Sequence, residues 1–177
     1  MKPKKLVVFF DSGDTIINEE TQVFDENGIV TKAGVIPGAD AAVRTLSELG
    51  YTLALVADGD AQSFKNVMTS NGIYDCFSAL IYSENIRVCK PSSRMFRAAA
   101  GALDLGEKDF GRIVMVGNNL SRDIKGANNL GMTSVFLDWT PRYPKTPSDD
   151  SEIPDYIIHN PLELIELVEK LNDGLPD

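Results

Sequence analysis

The 177-residue sequence holds only two cysteines, Cys76 and Cys89, and one histidine, His159. That supply is too small for a disulfide framework, and a Cys/His zinc site is nearly excluded. Both thiols are expected to act as small buried hydrophobes in a reducing cytoplasm. Positive charge is scarce as well: 17 Lys and Arg face 26 Asp and Glu, a formal charge of -9. Broad, sequence-independent adhesion to nucleic acid or to an anionic membrane is therefore disfavoured, and a phosphate-bearing ligand must be held by a local device. No apolar run approaches the roughly 18 residues that a membrane span needs. The start, Met1-Lys2-Pro3-Lys4-Lys5 followed by apolar residues 6–10, resembles a secretory leader only until Asp11 ends the run. The expectation is a soluble cytosolic protein. Internal repeats and linkers are also missing, so residues 1–177 are read as one domain.

What is present is a regular succession of short apolar runs at residues 6–10, 52–56, 79–82, 113–116, 134–137 and, more weakly, 156–158. Each reads as a buried strand. Helical spacing fills the gaps: Val43, Leu46 and Leu49 before Gly50; Phe64, Val67 and Met68 before Asn71-Gly72; Met95, Phe96, Ala99, Ala100 and Leu103; Ile124, Ala127 and Leu130 before Gly131. Glycine just past the last apolar position is a helix stop. A final helix is expected from Asn160-Pro161, with Leu164, Leu167, Val168 and Leu171 on one face.

Strands alternating with helices through short connections give parallel strands joined by right-handed crossovers. The expected fold class is α/β, a single doubly wound, Rossmann-like parallel sheet covered on both faces. Two segments break the alternation. Residues 16–37 carry Asn27-Gly28 between β-prone runs, which predicts a small hairpin flap directly after the first strand. Residues 138–155 hold Pro141, Pro144, Pro147 and Pro154 and read as a polar surface loop without regular structure.

In such a sheet, ligands gather beyond the carboxyl ends of the strands, where strand order reverses. The first strand ends in Phe10-Asp11-Ser12-Gly13-Asp14-Thr15. A carboxylate at a strand tip, followed by a glycine-containing turn, suits a nucleophile that attacks phosphorus, although Asp and Gly also build ordinary turns. The third strand leads to Val88-Cys89-Lys90-Pro91, which places a cation at the same edge. The fourth leads to Gly117-Asn118-Asn119-Leu120-Ser121-Arg122-Asp123 and then Gly126-Ala127.

With these blocks the chain resembles the haloacid dehalogenase superfamily of phosphohydrolases, from about residue 6 to residue 138. The signature is an aspartate after strand one, Thr or Ser after strand two, a lysine often followed by proline, and an acidic motif with a downstream Gly-Ala pair. The resemblance implies that Asp11 is a nucleophile forming an aspartyl-phosphate and a ligand of Mg²⁺, with the Gly13 carbonyl on the same ion. Lys90 would neutralise the nucleophile and the phosphoryl oxygens, and Asn118 and Asp123 would complete the metal shell. One hard dication with oxygen ligands and one ammonium suffice for phosphoryl transfer.

Three positions depart from the pattern. Hydrolytic members usually carry a second aspartate, a general acid, two residues after the nucleophile; Gly13 stands there, and Asp14 follows. Asp14 is read either as an acid that reaches round or as a turn residue. The usual hydroxyl after strand two is replaced by Ala57-Asp58-Gly59. There the backbone N–H groups of Asp58 and Gly59 could bind phosphate, while Asp58-Gly59-Asp60 is equally a turn capping the next helix. Asn118 replaces an aspartate and is either a metal ligand or a helix cap. Asp123 either orients Lys90 from behind the ligands or is a first-turn acid favoured by the helix dipole.

The resemblance thus implies a Mg²⁺-dependent phosphatase acting on phosphoric monoesters or acyl phosphates. The alternatives are an impaired relative that binds a phosphate-containing ligand or a protein partner without turnover, and a phosphotransferase. The family's large caps are inserted where this chain has only the flap, or within residues 59–89, which a helix, a strand and a loop already fill. The expectation is a capless mouth that admits a phosphorylated substrate as bulky as a macromolecule, or one closed by a neighbouring subunit in a homo-oligomer. Trp139, Arg142 and Tyr143 are candidates for a wall or an oligomer contact; otherwise they sit on an exposed loop.

Overall fold

A computed structural model describes residues 4–176; residues 1–3, the first part of the leader-like start, and residue 177 lie outside the described residues. The elements in chain order are β1 (Val7–Phe10), the hairpin strands β2 (Val23–Phe24) and β3 (Val30–Lys32), α1 (Ala39–Glu48), β4 (Thr52–Ala57) and α2 (Ala61–Ser70). There follow β5 (Ala79–Tyr82), the short α3 (Ser83–Ile86), α4 (Ser93–Ala102) and β6 (Ile113–Gly117). The chain finishes with α5 (Lys125–Asn128), β7 (Thr133–Leu137), β8 (Tyr156–Ile158) and α6 (Glu163–Gly174).

Six strands form one parallel sheet in the order β5-β4-β1-β6-β7-β8. Side chains alternate across it, because successive residues of a strand point to opposite faces. Val8, Phe10, Leu53, Leu55, Val114 and Val116 face one core with Val43 and Leu46 of α1, Val67 and Met68 of α2 and Val168 of α6. Val7, Phe9, Ala54, Val56, Ile113 and Met115 face the other, with Met95, Phe96 and Ala99 of α4 and Ala127 of α5. Burial on both faces explains why these strands read as unbroken apolar runs. The sequence-predicted strands and the doubly wound α/β class are thus realised.

The order also fixes the crevice. After β1 the chain builds outward through β4 and β5, then returns to the other side of β1 to lay down β6, β7 and β8. β1 is the switch point, and the segments after β1, β4 and β6 leave the sheet side by side.

The hairpin stands where residues 16–37 predicted it, with β2 and β3 antiparallel and Gly28 at φ +79°. It is pinned to α2: the Val30 N–H donates to Ser63 Oγ at 2.8 Å, and Asn66 Nδ2 donates to the Val30 carbonyl at 2.9 Å. The fold brings no larger insertion to the mouth between β1 and α1 or between β4 and Lys90.

Several local expectations need correction. The helix expected through Ile124 to Leu130 opens with a π-helical turn, Leu120–Ile124, before the short α5. The last helix begins at Glu163, because Asn160 spends its side chain on the Leu162 N–H in a preceding turn. Residues 138–155 include a short 3₁₀ turn, Asp150–Glu152, and Glu152 is buried, its carboxylate accepting the Ser148 N–H at 2.9 Å. Cys89 is exposed, on the loop that turns Lys90 inward, and is not the buried hydrophobe expected, whereas Cys76 is half-buried and packs against the core. Among the described residues no helix is long and apolar enough to cross a membrane.

Candidate active site

Asp11 is the first residue past β1, and its N–H still donates to the Val116 carbonyl of β6 at 3.0 Å, which fixes its position over the crevice. The turn behind it is tied by Ser12, whose carbonyl accepts the N–H groups of Thr15, Ile16 and Ile17 at 3.2, 2.8 and 3.0 Å. Thr15 Oγ1 donates to Asp11 Oδ2 at 3.2 Å.

Lys90 is nearly fully buried and arrives from the opposite side on the loop after α3, before a cis Lys90-Pro91 bond. Its ammonium is 2.7 Å from Asp11 Oδ1, 2.7 Å from the Val56 carbonyl and 2.8 Å from Asp123 Oδ1. The ammonium thus donates hydrogen bonds to Asp11 and to the Val56 carbonyl and stands as an ion pair beside Asp123, so groups from β4 and from the segments after β1 and β6 converge on one charge. Burial acts to lower the Lys90 pKa, but the charges of Asp11, Asp123 and Asp58 outweigh it and the pKa is raised. Lys90 stays an ammonium.

Asp123, also buried, rides on the π-helical turn, with Oδ2 accepting the Asn119 N–H at 3.1 Å. Burial, reinforced by the nearby Asp11 charge and opposed by Lys90, lifts its pKa to about 7. Its Oδ2 holds the start of the turn, while its Oδ1 faces Lys90 as an ion pair without a hydrogen bond of its own. The reading of Asn118 as a helix cap is corrected. Asn119 is the cap, its Oδ1 accepting the Arg122 N–H at 3.1 Å, whereas Asn118 is 4% exposed and its Nδ2 has no hydrogen-bond partner among the described residues. A buried, unpartnered amide is costly in isolation, and its position is that of a ligand-facing group.

After β4 the helix cap is Asp60, whose carboxylate accepts the Ser63 N–H at 2.7 Å. Asp58 instead accepts the Lys90 N–H at 3.0 Å and lies 3.8 Å from Arg122. Burial, with Asp11 adding, raises the Asp58 pKa, while Lys90 and Arg122 oppose. The Gly59 N–H, expected as a phosphate donor, is already given to Ser83 Oγ at 2.8 Å.

A cavity of about 230 Å³ opens over these groups, lined by Asp11, Gly13, Ala57, Asp58, Lys90, Asn118 and Asp123. Asp14 is not among its lining residues. Its buried carboxylate accepts the Glu19 N–H at 3.1 Å through Oδ1 and pairs with Arg142 through Oδ2, which corrects the reading of Asp14 as an acid reaching the reaction centre. Asp14 also sits at φ +51°, a left-handed conformation that Asp tolerates better than most residues, and this turns its side chain away from the crevice.

Sequence reasoning gave no role to Ser12, Glu19, Phe24, Phe64 or Arg122, all of which line the cavity. Arg122 carries a second cation to the mouth and stacks 5.9 Å from the Tyr143 ring. Its place inside the motif after β6 was the available signal. Glu19 had none, because it approaches through the tertiary fold of the turn Glu19–Thr21. Burial, with the charges of Asp14 and Asp11, raises the Glu19 pKa against the pull of Arg142. Of the loop after β7, Tyr143 forms a wall, Arg142 anchors Asp14, and Trp139 packs on the core.

A family model described as haloacid dehalogenase-like hydrolase matches residues 5–131. A glyceraldehyde 3-phosphate phosphatase of Methanopyrus kandleri is 32% identical over 135 residues, 76% of this chain and 57% of that protein. A phosphoserine phosphatase of Thermus thermophilus is 29% identical over 119 residues, 67% of this chain and 45% of that protein. The chain thus spans about half the length of these relatives. The crystal structure of a HAD phosphatase from Thermococcus onnurineus superposes with a TM-score of 0.74 at 20% identity, covering 92% of this chain and 97% of that one, which is a likeness of fold.

Proposed function

The chain belongs to the haloacid dehalogenase-like hydrolases, and from that membership we propose that it is a phosphatase in which Asp11 attacks the phosphorus of a phosphoric monoester or acyl phosphate. The observation that carries this reading is the Lys90–Asp11 contact of 2.7 Å at the floor of the cavity, at the switch point of the sheet. The relatives named as phosphatases support the substrate class.

Asp11 supplies an oxygen nucleophile whose backbone is locked to β6. Lys90, held as an ammonium by Asp11 and Asp123, offsets the charge that two anions bring together when a phosphate approaches. Attack forms the Asp11–phosphorus bond as the ester oxygen leaves; water then cleaves the aspartyl-phosphate, releasing inorganic phosphate and restoring the carboxylate. Arg122 at the mouth adds a positive charge for the incoming dianion.

Among the described residues no three His, Cys, Asp or Glu side chains form a ready cluster for a metal. The donor set nevertheless fits a hard cation: Asp11, Asp58 and Asp123 bring three carboxylates against the ammonium of Lys90 and the guanidinium of Arg122, and Asn118 lines the same cavity with a neutral amide whose oxygen can coordinate. Asp11, the Gly13 carbonyl and Asn118 would hold Mg²⁺, with Asp123 behind them, and the ion would supply further charge neutralisation when bound. We place the enzyme in the cytoplasm.

The test is release of inorganic phosphate from p-nitrophenyl phosphate with Mg²⁺ present. Wild-type protein should turn over, and Asp11→Asn should fall to background while keeping its melting temperature within a few degrees. Turnover that survives Asp11→Asn would overturn the reading. Ligand-induced stabilisation without turnover would favour the binding-protein alternative instead.

A further inference from the structure

A phosphoric monoester of an ordinary alcohol does not expel a bare alkoxide readily; the leaving oxygen needs a proton, and a positioned acid contributes about 10²- to 10⁴-fold. The carboxyl groups around the cavity can be assigned in turn. Asp11 is the nucleophile. Asp123 is held by Lys90 and the Asn119 N–H, Asp58 by the Lys90 N–H, and Asp60 by the Ser63 N–H. Asp14 faces Arg142 and the Glu19 N–H, outside the cavity lining.

Glu19 remains. A Cβ built on Gly13 would lie 1.8 Å from Glu19 Oε1, 2.7 Å from its Cδ and 3.2 Å from its Cγ. The Glu19 carboxyl therefore occupies the space that a side chain two residues after Asp11 would fill, and it can do so because position 13 has none. Its other oxygen, Oε2, faces Arg142 at 3.5 Å, while Oε1 takes no hydrogen bond from the described residues. The backbone that carries it is fixed by Asp14, which receives the Glu19 N–H, and by Asn18, which caps the turn by accepting the Glu20 N–H at 3.1 Å. Asp14 and Arg142 thus form a bracket that sets Glu19 over the nucleophile's turn.

We propose that Glu19 is the proton donor to the leaving oxygen, an assignment that rests on the phosphatase reading and adds the acid that reading lacks. As Asp11 bonds to phosphorus and the ester P–O bond breaks, the leaving oxygen takes the Glu19 proton and departs as the alcohol. Glu19, now a carboxylate, accepts a proton from the water that attacks the aspartyl-phosphate. Phosphate leaves, and both side chains return to their starting states.

The experiment compares two substrates in each variant: p-nitrophenyl phosphate, whose leaving group needs no proton, and glycerol 1-phosphate, whose leaving group does. The ratio of their kcat/KM values is independent of how much of a variant is folded. Glu19→Gln should lower the alkyl-to-aryl ratio by about 10²- to 10⁴-fold, leaving kcat/KM for the aryl ester, which is set before water attacks the aspartyl-phosphate, within about tenfold of wild type. Glu19→Ala should do the same, and the double variant Gly13→Asp with Glu19→Ala, which returns a carboxyl to that space, should recover part of the ratio. A ratio unchanged in Glu19→Gln, or a wild type that hydrolyses only the aryl ester, overturns the assignment and leaves the phosphatase reading standing. Absence of turnover on both esters in the wild type removes the two together.

Discussion

Asp123 lies folded directly against Gly117: a Cβ at position 117 would sit 2.2 Å from its Oδ2 and 2.3 Å from its Cγ. The carboxylate that anchors Lys90 thus depends on a missing side chain at the end of β6. Gly117→Ala must push Asp123 away from the Asn119 N–H and from Lys90. Overpacking of this kind costs about 1–3 kcal/mol. The expected outcome is a melting temperature lower by about 2–12 °C, together with reduced kcat in a phosphate-release assay. Unchanged values of both would contradict the packing.

Lys90→Met should be more damaging than its buried volume suggests. It leaves Asp11 and Asp123 facing each other without a cation, and removing one partner of a buried pair costs about 3–5 kcal/mol. Thermal melting at neutral pH should show a loss on the order of 6–20 °C. Turnover should vanish, since the charge that offsets the nucleophile and the phosphate goes with it. A stable Lys90→Met protein would mean that solvent reaches these carboxylates far more than their burial implies.

Chelation should reversibly stop phosphate release. Treatment with EDTA is expected to abolish turnover and readdition of Mg²⁺ to restore it. In parallel, Mg²⁺ at 100 times its Kd should stabilise the protein by about 2.7 kcal/mol. That stabilisation should shrink in Asp11→Asn. Full activity in the presence of chelator would exclude the proposed ion.

Tyr82, at the end of β5, is stacked on Phe64 with ring centroids 5.2 Å apart, and burial pushes its phenol up to about 12. The unfolded phenol ionises near 10. Between those values the unfolded chain binds fewer protons than the folded one, so stability present below pH 10 is lost as pH rises toward 12. Ultraviolet titration of the phenolates should show a late-ionising group in wild type that is missing from Tyr82→Phe, and Tyr82→Phe should lose less stability over that interval. A Tyr82 that ionises with the exposed tyrosines would refute the burial.

Local chemistry determined a good deal. Apolar runs of four or five residues between helical patterns read as strands buried on both faces, and with the shorter, more exposed run at 156–158 the sequence alone placed all six strands of the sheet, and with them the switch point that puts Asp11, Lys90 and Asn118 at one edge. The Asn27-Gly28 turn declared the hairpin because its backbone geometry suits few other residues. What only the tertiary structure decided is which carboxylate does what. Asp14 adjoins Gly13 in sequence yet turns away at φ +51° to Arg142, 128 positions later, while Glu19 crosses into the space that Gly13 leaves open. Likewise Asn119 caps a helix and Asn118 faces the cavity, although the pair is identical in composition. Side-chain direction beyond a strand end follows from backbone torsions and from partners distant along the chain, and neither leaves a periodic mark in the sequence.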